Sequence, residues 1–243
     1  MQESQTPPET SSTPASPQRD SGSSMSMLLD EAILSRHSSR LYTPKPVPRE
    51  ILEAALELAA HSPSNSNTQA WRLFIVTGAA LKRLTSALMK EASQGAAPNV
   101  PGLPEEFRKY RSELGKQVYG EGWQIPREDA EARRAAVLRN FEFFGAPVGV
   151  VVCMSDSLPG RAAFSVGMYV QTFLLGLTER GVDSCVEVSI SGYPDVVRRE
   201  VGIPEDMRVL CGISIGYEDK SAGVNKVRSG REVVEKTAFW VDE

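Results

Sequence analysis

The sequence predicts an α+β fold, a small central sheet covered by helices. Two kinds of stretch predict it. Residues 148–153 (VGVVVC) and 208–215 (RVLCGISI) are nearly unbroken apolar runs, as strands buried on both faces require. Around them, apolar residues recur at helical spacing over longer segments. At 243 residues, 41% apolar and 24% charged, the chain suffices for one domain with a large core.

Residues 1–26 are rich in Ser, Thr, Pro and Gln and almost free of large apolar side chains. They read as a disordered tail, with neither the cationic start and apolar core of a secretory signal nor the arginines of a transit peptide. A single domain is expected over residues 27–243. Leu28, Leu29, Ala32 and Ile33 begin it at helical spacing, with Asp30 and Glu31 placed where they favour the helix dipole. Pro44, Pro46 and Pro48 then force an extended connection. Residues 49–60 predict a second helix, with Ile51, Leu52, Ala55, Leu56 and Ala59 on one face. WRLFIV (71–76) reads as a strand and residues 79–92 as a helix.

Residues 94–128 are irregular, with Pro98, Pro101, Gly102 and Pro104 and the scattered aromatics Phe107, Tyr110, Tyr119 and Trp123. They read either as a surface excursion or as a lid over a substrate cleft. Residues 130–144 predict a charged helix stopped by Gly145. Residues 161–180 predict the most apolar helix, wrapped by Ala, Val, Leu and Phe on most of its circumference. Such a helix is either the core axis or part of a subunit interface. Gln171, Ser165 and Gly167 argue against a membrane span. Residues 183–188 predict a strand and 193–202 a short helix. Residues 218–231 form a loop, and residues 232–241 a mixed tail.

Composition excludes several functions. The net charge of −4 and a pI of about 5.5 leave no basic field for nucleic acid or an anionic membrane. Cys153, Cys185 and Cys211 form no Cys-x-x-Cys and sit in apolar runs, as buried reduced thiols would. With reducing conditions implied, a cytoplasmic location is expected. Two histidines, His37 and His61, make a His-based zinc site or a Ser-His-Asp set a poor fit, and no metal is expected. There is no GxGxxG after a strand and no phosphate-binding P-loop, so any dinucleotide is a transient visitor.

Two stretches carry chemistry. Arg36, Ser38 and Arg40 alternate, and in an extended chain they point to one side. Two guanidiniums and a hydroxyl then form a cradle suited to phosphate; the competing reading is a solvated loop. Residues 62–71, SPSNSNTQAW, pack hydroxyls and carboxamides into one loop ending in an aromatic, which reads as a turn or as a donor-rich wall for a planar polar ligand.

These stretches resemble the motifs of the nitroreductase family of FMN enzymes. The family's Arg-x-Ser-x-Arg/Lys-x-aromatic is matched by Arg36, Ser38, Arg40 and Tyr42, and its Ser-Pro-Ser-x-x-Asn-x-Gln-x-Trp by Ser62, Pro63, Ser64, Asn67, Gln69 and Trp71. Gly216–Tyr217, Asn225, Arg228 and Arg231 match its C-terminal pattern. The resemblance implies a nitroreductase-like fold with a mixed central sheet, in an intertwined homodimer holding FMN in two clefts. It implies that NADH or NADPH reduces electron-poor acceptors such as nitroaromatics or quinones in ping-pong order. The flavin carries the chemistry, so no catalytic side chain is required.

By the same resemblance, Arg36, His37, Ser38 and Arg40, with Arg228 or Arg231, hold the phosphate and ribityl end. Pro63, Ser64, Asn65, Asn67 and Gln69 border the ring, from the partner subunit. Asn140 reaches the ring, and the backbone of Val186 and Glu187 lies against it, where the family often has Pro and Gln. Two alternatives stay open at this point: ene reduction or desaturation on the same scaffold, and a non-enzymatic flavin or nucleotide binder.

Overall fold

The computed structural model of the chain describes residues 27–95 and 98–242. The expected tail, residues 1–26, lies outside them. Among the described residues, four strands, β1 (Trp71–Thr77), β2 (Val148–Ser155), β3 (Asp183–Glu187) and β4 (Met207–Gly216), form one sheet in the order β1-β2-β4-β3. All three strand pairings are antiparallel, which corrects the mixed sheet expected above. Among the described residues, the parallel contact is an isolated bridge between Ser38 and Ser184. The reason lies in the connection. The chain leaves β3 at Glu187, opposite Gly212, and re-enters at Met207 on that same end of the sheet. Parallel neighbours would need a crossover along the length of the sheet.

Seven α-helices among the described residues surround it: α1 (Leu29–Ser35), α2 (Arg49–Ala60), α3 (Gly78–Ser93), α4 (Arg108–Gly115), α5 (Ala130–Leu138), α6 (Ala163–Glu179) and α7 (Pro194–Val201). They make two cores, one on each face. Val150 and Val152 of β2 and Ile213 and Ile215 of β4 face Phe173, Leu174 and Leu177 of α6 and Leu52 and Ala55 of α2. Val151 and Cys153 face Leu84 and Leu88 of α3 and Val197 of α7. The apolar run of β2 is thereby buried on both sides. Each large apolar side chain here contributes roughly 1.5–3 kcal/mol by leaving water. Gly176 lets α6 approach α2 closely, since a Cβ there would stand 3.3 Å from the Cα of Ala55.

The structure departs from the sequence reading in three further places. The helix expected over residues 130–144 ends at Leu138, and a tighter turn, Arg139–Gly145, follows. In it Phe143 and Phe144 take φ of 50° and 51°. Neighbouring residues on a regular helix diverge by about 100°, so two adjacent rings could not both enter one core. The kink buries both, leaving Phe143 0% and Phe144 3% exposed. Secondly, of the two roles open to α6, a core axis covered on every side does not hold within one chain: Phe164 is 75% exposed, and Gly167 and Gln171 are also open. The sheet and α2 cover its other flanks. Thirdly, the irregular excursion contains α4 and a π-helical turn, Lys116–Gly122. The charged sequence RKYRSELG hides that helix because it has no apolar stripe. Gly122 presses this excursion against the C-terminal loop, where a Cβ would meet Val224 Cα at 2.9 Å.

Candidate functional site

The site is built around residues 36–42, which α1 delivers to the edge of the sheet. Ser39 N–H donates to Ser184 O (3.1 Å), and Tyr42 bridges to Glu218. Asp219 N–H donates to Leu41 O (3.0 Å) and Thr43 N–H to Tyr217 O (2.8 Å). The segment is therefore extended between β3 and the chain leaving β4. Gly216 makes room for it: a Cβ there would lie 2.8 Å from the Tyr42 ring. Tyr42 is buried, and its hydroxyl donates to Ser39 O at 2.8 Å.

Extension sorts the side chains by parity. His37 and Ser39 turn one way: His37 Nε2 lies 2.8 Å from Glu218 Oε2, and Ser39 Oγ donates to the same oxygen at 3.1 Å. Arg36, Ser38 and Arg40 turn the other way and converge on the Cys185 thiol. That thiol is pushed up to about 12, first by burial and then by the nearby Glu187 carboxyl, with Arg40, Ser38 and Arg36 opposing.

Arg36 and Arg231 are brought together, although far apart in sequence. Arg36 is held below the usual guanidinium value by partial burial, and further by the like charge of Arg231. Among the described residues, Arg36, Arg40, Arg228 and Arg231 make no ion pair with a carboxylate. Arg228 Nη1 donates to Asn225 O (2.7 Å) and Val227 O (3.1 Å), and Arg231 Nη1 donates to Ser229 O (2.8 Å), Ser229 Oγ (3.0 Å) and Gly230 O (3.0 Å). An uncompensated cation cluster at a sheet edge fits a phosphate-bearing ligand.

β3 splits its two candidate residues between opposite faces. Val186 is 39% exposed, whereas Glu187 is 2% exposed. Both Glu187 carboxyl oxygens are buried and make no hydrogen bond of ordinary geometry. The adjacent Ser214 hydroxyl is engaged with Tyr42 Oη (3.1 Å) and Cys185 O (3.4 Å). Burial pushes the Glu187 carboxyl well above its usual range, against the pull of Ser214 and Arg40.

Asn140 and Arg40 line one cavity of about 1170 Å³, bounded by α4, the π turn, Trp123, α5 and Phe144. The cavity is ample for a ligand-sized molecule, whose pockets run about 300–1,000 Å³. Asn140 Nδ2 donates to Val137 O at 2.8 Å, and its Oδ1 accepts from Ser189 Oγ at 3.4 Å.

The Ser-Asn loop is not brought to the cradle within one chain. Asn65, Asn67 and Gln69 are exposed, and Ser66, Asn67 and Gln69 hold φ of 52°, 53° and 45°. Such conformations cost roughly 1–2 kcal/mol per residue. Ser62 Oγ donates to Thr172 Oγ1 of α6 at 3.0 Å, and Gln69 N–H to Ser64 Oγ at 3.0 Å. Trp71, which ends the motif, stacks on Tyr169 at 4.5 Å and so anchors the loop rather than lining the cavity. Pro63 instead borders a shallow groove with Phe164, Gly167 and Met168 of α6.

Sequence reasoning did not assign Asn225 and Glu218 to the site. Asn225 is 2% exposed and holds the cradle backbone; Glu218 holds its far face. Their signal was position, directly after β4 and within the Gly-Tyr…Asn pattern. Among the described residues, no group of three or more His, Cys, Asp or Glu is placed to hold a metal ion, and no helix is long and apolar enough to cross a membrane. All three cysteines are free.

A profile of the nitroreductase family matches residues 33–217. The chain is 32% identical to a nitrobenzene nitroreductase of Ectopseudomonas oleovorans, over 90% of this chain and 99% of that one. It is 32% identical to a 4-nitrobenzoate reductase of a Nocardioides strain, over 88% of this chain and 91% of that one. Among solved structures, it is similar to the FMN-dependent nitroreductase NfnB from Mycobacterium smegmatis in complex with NADPH. That similarity has a TM-score of 0.81 and 33% identity, over 87% of this chain and 97% of that one.

Proposed function

We propose, for a chain that belongs to the nitroreductase family, an FMN-dependent oxidoreductase that uses NAD(P)H to reduce nitroaromatic acceptors and, by the same chemistry, quinones. The observation that carries this reading is that Arg36 feels the like charge of Arg231, with Arg40 beside the same Cys185 thiol, and none of the three makes an ion pair with a carboxylate among the described residues. Like charges held together at the mouth of a fold are stabilised when an anion joins them. FMN presents such an anion in its phosphate.

Arg36, Ser38, Arg40 and Arg231 would hold the phosphate and ribityl end. His37 and Arg228 support them from behind, through Glu218 and the Asn225 carbonyl. Val186, Glu187 and Asn140 would border the ring. When bound, FMN would supply the redox chemistry that connects reduced nicotinamide to the acceptor. The chain contributes position, a positive field and exclusion of water. One cavity serving nicotinamide and acceptor in turn suits a ping-pong order.

We assign Pro63, Ser64, Asn65, Asn67 and Gln69 to the second cleft of a homodimer. The support is their exposure in the single chain, their strained backbone and the open stripe of α6 beside them.

A spectrum tests the reading. Purified protein should absorb at flavin wavelengths, or take up FMN when titrated with it, and should bleach anaerobically on adding NADPH or NADH. Protein that neither carries nor takes up FMN would overturn it.

A further inference from the structure

The cavity beside the cradle has a wall that the cofactor reading leaves unexplained. Its lining carries seven cationic side chains against one carboxylate, Glu113. The chain as a whole is acidic, with a net charge of −4, so this wall runs against the composition. Three of the cations are otherwise engaged: Arg108 pairs with Glu105, Lys109 lies over Tyr110 at 4.8 Å, and Arg133 lies over Tyr119 at 5.2 Å. Arg111, Lys116 and Arg127 make no ion pair among the described residues, yet all three line the cavity. They come from three separate places: α4, the π turn that follows it, and the loop before α5.

The same cavity has aromatic walls. Tyr119, Trp123 and Phe144 line it, with Asn140 and Arg40 at the end nearer the cradle. A planar ring can stack on such side chains, while a charged substituent on it reaches the guanidiniums. A cleft lined by one sign of charge also concentrates ligands of the opposite sign.

We infer that this wall, formed by Arg111, Lys116 and Arg127, selects ligands that carry an anionic group away from the reacting atom. The chemistry is shared by two sources: the carboxylate of an aromatic acceptor and the 2′-phosphate of a nicotinamide nucleotide. The inference rests on the oxidoreductase reading for what those ligands are, and on the cavity lining alone for their charge.

The test uses holoenzyme and two matched pairs, 4-nitrobenzoate against nitrobenzene and NADPH against NADH. At low ionic strength, kcat/KM should favour the anionic member of at least one pair by about tenfold, as two exposed charge pairs allow. A difference in the first pair alone assigns the wall to the acceptor, and in the second alone to the nucleotide. The preference should shrink in added salt. It should fall in R111Q/K116Q, which leaves only Arg127 of the wall, and persist in R111K/K116R, whatever the absolute rates. Calorimetric binding of benzoate against benzamide gives a readout free of turnover. Equal constants within both pairs, or a preference untouched by salt and by R111Q/K116Q, would overturn the inference while leaving nitroreduction intact. Failure of flavin reduction with benzoate still bound more tightly than benzamide would overturn the oxidoreductase reading and keep the wall.

Discussion

Asn225 clamps the backbone of the cradle at Arg40. Its Oδ1 accepts from Arg40 N–H at 2.7 Å, and its Nδ2 donates to Leu41 O at 2.7 Å and to Asp219 O at 3.0 Å. One buried carboxamide thus does for residues 40–41 what a neighbouring strand would do. The direction of the Arg40 side chain depends on it.

Asn225→Ala should therefore weaken the fold and FMN binding together. It strands the Arg40 N–H, at a cost of roughly 1–3 kcal/mol, while Leu41 O keeps its bond from Asp219 N–H. Urea unfolding of the apoprotein and FMN titration should both move. Asn225→Asp should rescue at most part of the loss, because its carboxylate can accept from Arg40 N–H but then faces Leu41 O and Asp219 O without a proton to donate. Unchanged stability in both variants would mean that the clamp is idle.

Arg36→Ala should separate binding from folding. It removes one of two guanidiniums that repel each other, so the apoprotein should be no less stable than the parent. FMN should bind about tenfold to a hundredfold more weakly, since a charge-assisted hydrogen bond contributes roughly 1.5–3 kcal/mol. Arg40→Ala should weaken FMN similarly. Ser39→Ala, on the Glu218 side, should lower stability by about 1 kcal/mol and spare FMN. If Ser39→Ala is instead the variant that loses FMN, residues 36–40 do not act by parity.

Glu187→Gln should change how apoprotein stability depends on pH. The carboxyl is raised on folding, so the folded state favours its neutral form. That contribution is complete below the unfolded value near 4.5 and is lost as pH rises toward the folded one. Gln cannot ionise and loses nothing over that window. The variant should match the parent near pH 4 and exceed it increasingly as pH rises above the unfolded value, by about 1.4 kcal/mol for each pH unit crossed before the folded carboxyl ionises. Parallel stability curves would show that Glu187 does not titrate with folding.

Phe164→Asp should report on the second copy. Phe164 is 75% exposed beside a groove of about 550 Å³, and Phe239 and Trp240 are 78% and 90% exposed. Light scattering should give twice the chain mass for the parent. The variant should be a folded monomer with weakened FMN binding, because Asn65, Asn67 and Gln69 would no longer complete the neighbouring cleft. A parent that is monomeric and fully loaded with flavin removes this assignment.

Local pattern was enough to reveal most of the elements and the face of the cradle. Period and composition suffice where burial repeats locally, as in β2, α2 and the alternation of residues 36–40, since each residue's environment there follows from its neighbours in the chain. The closed fold was needed for the rest. It set the antiparallel order of the strands, the kink that buries Phe143 and Phe144, and the meeting of Arg36 with Arg231. It also placed Asn225 against Arg40 and gathered Arg111, Lys116 and Arg127 around one cavity. Except for Arg111, Lys116 and Arg127, the partners lie far apart in sequence or compete for one core. Their contacts exist only after the whole chain has closed, and no local pattern encodes them.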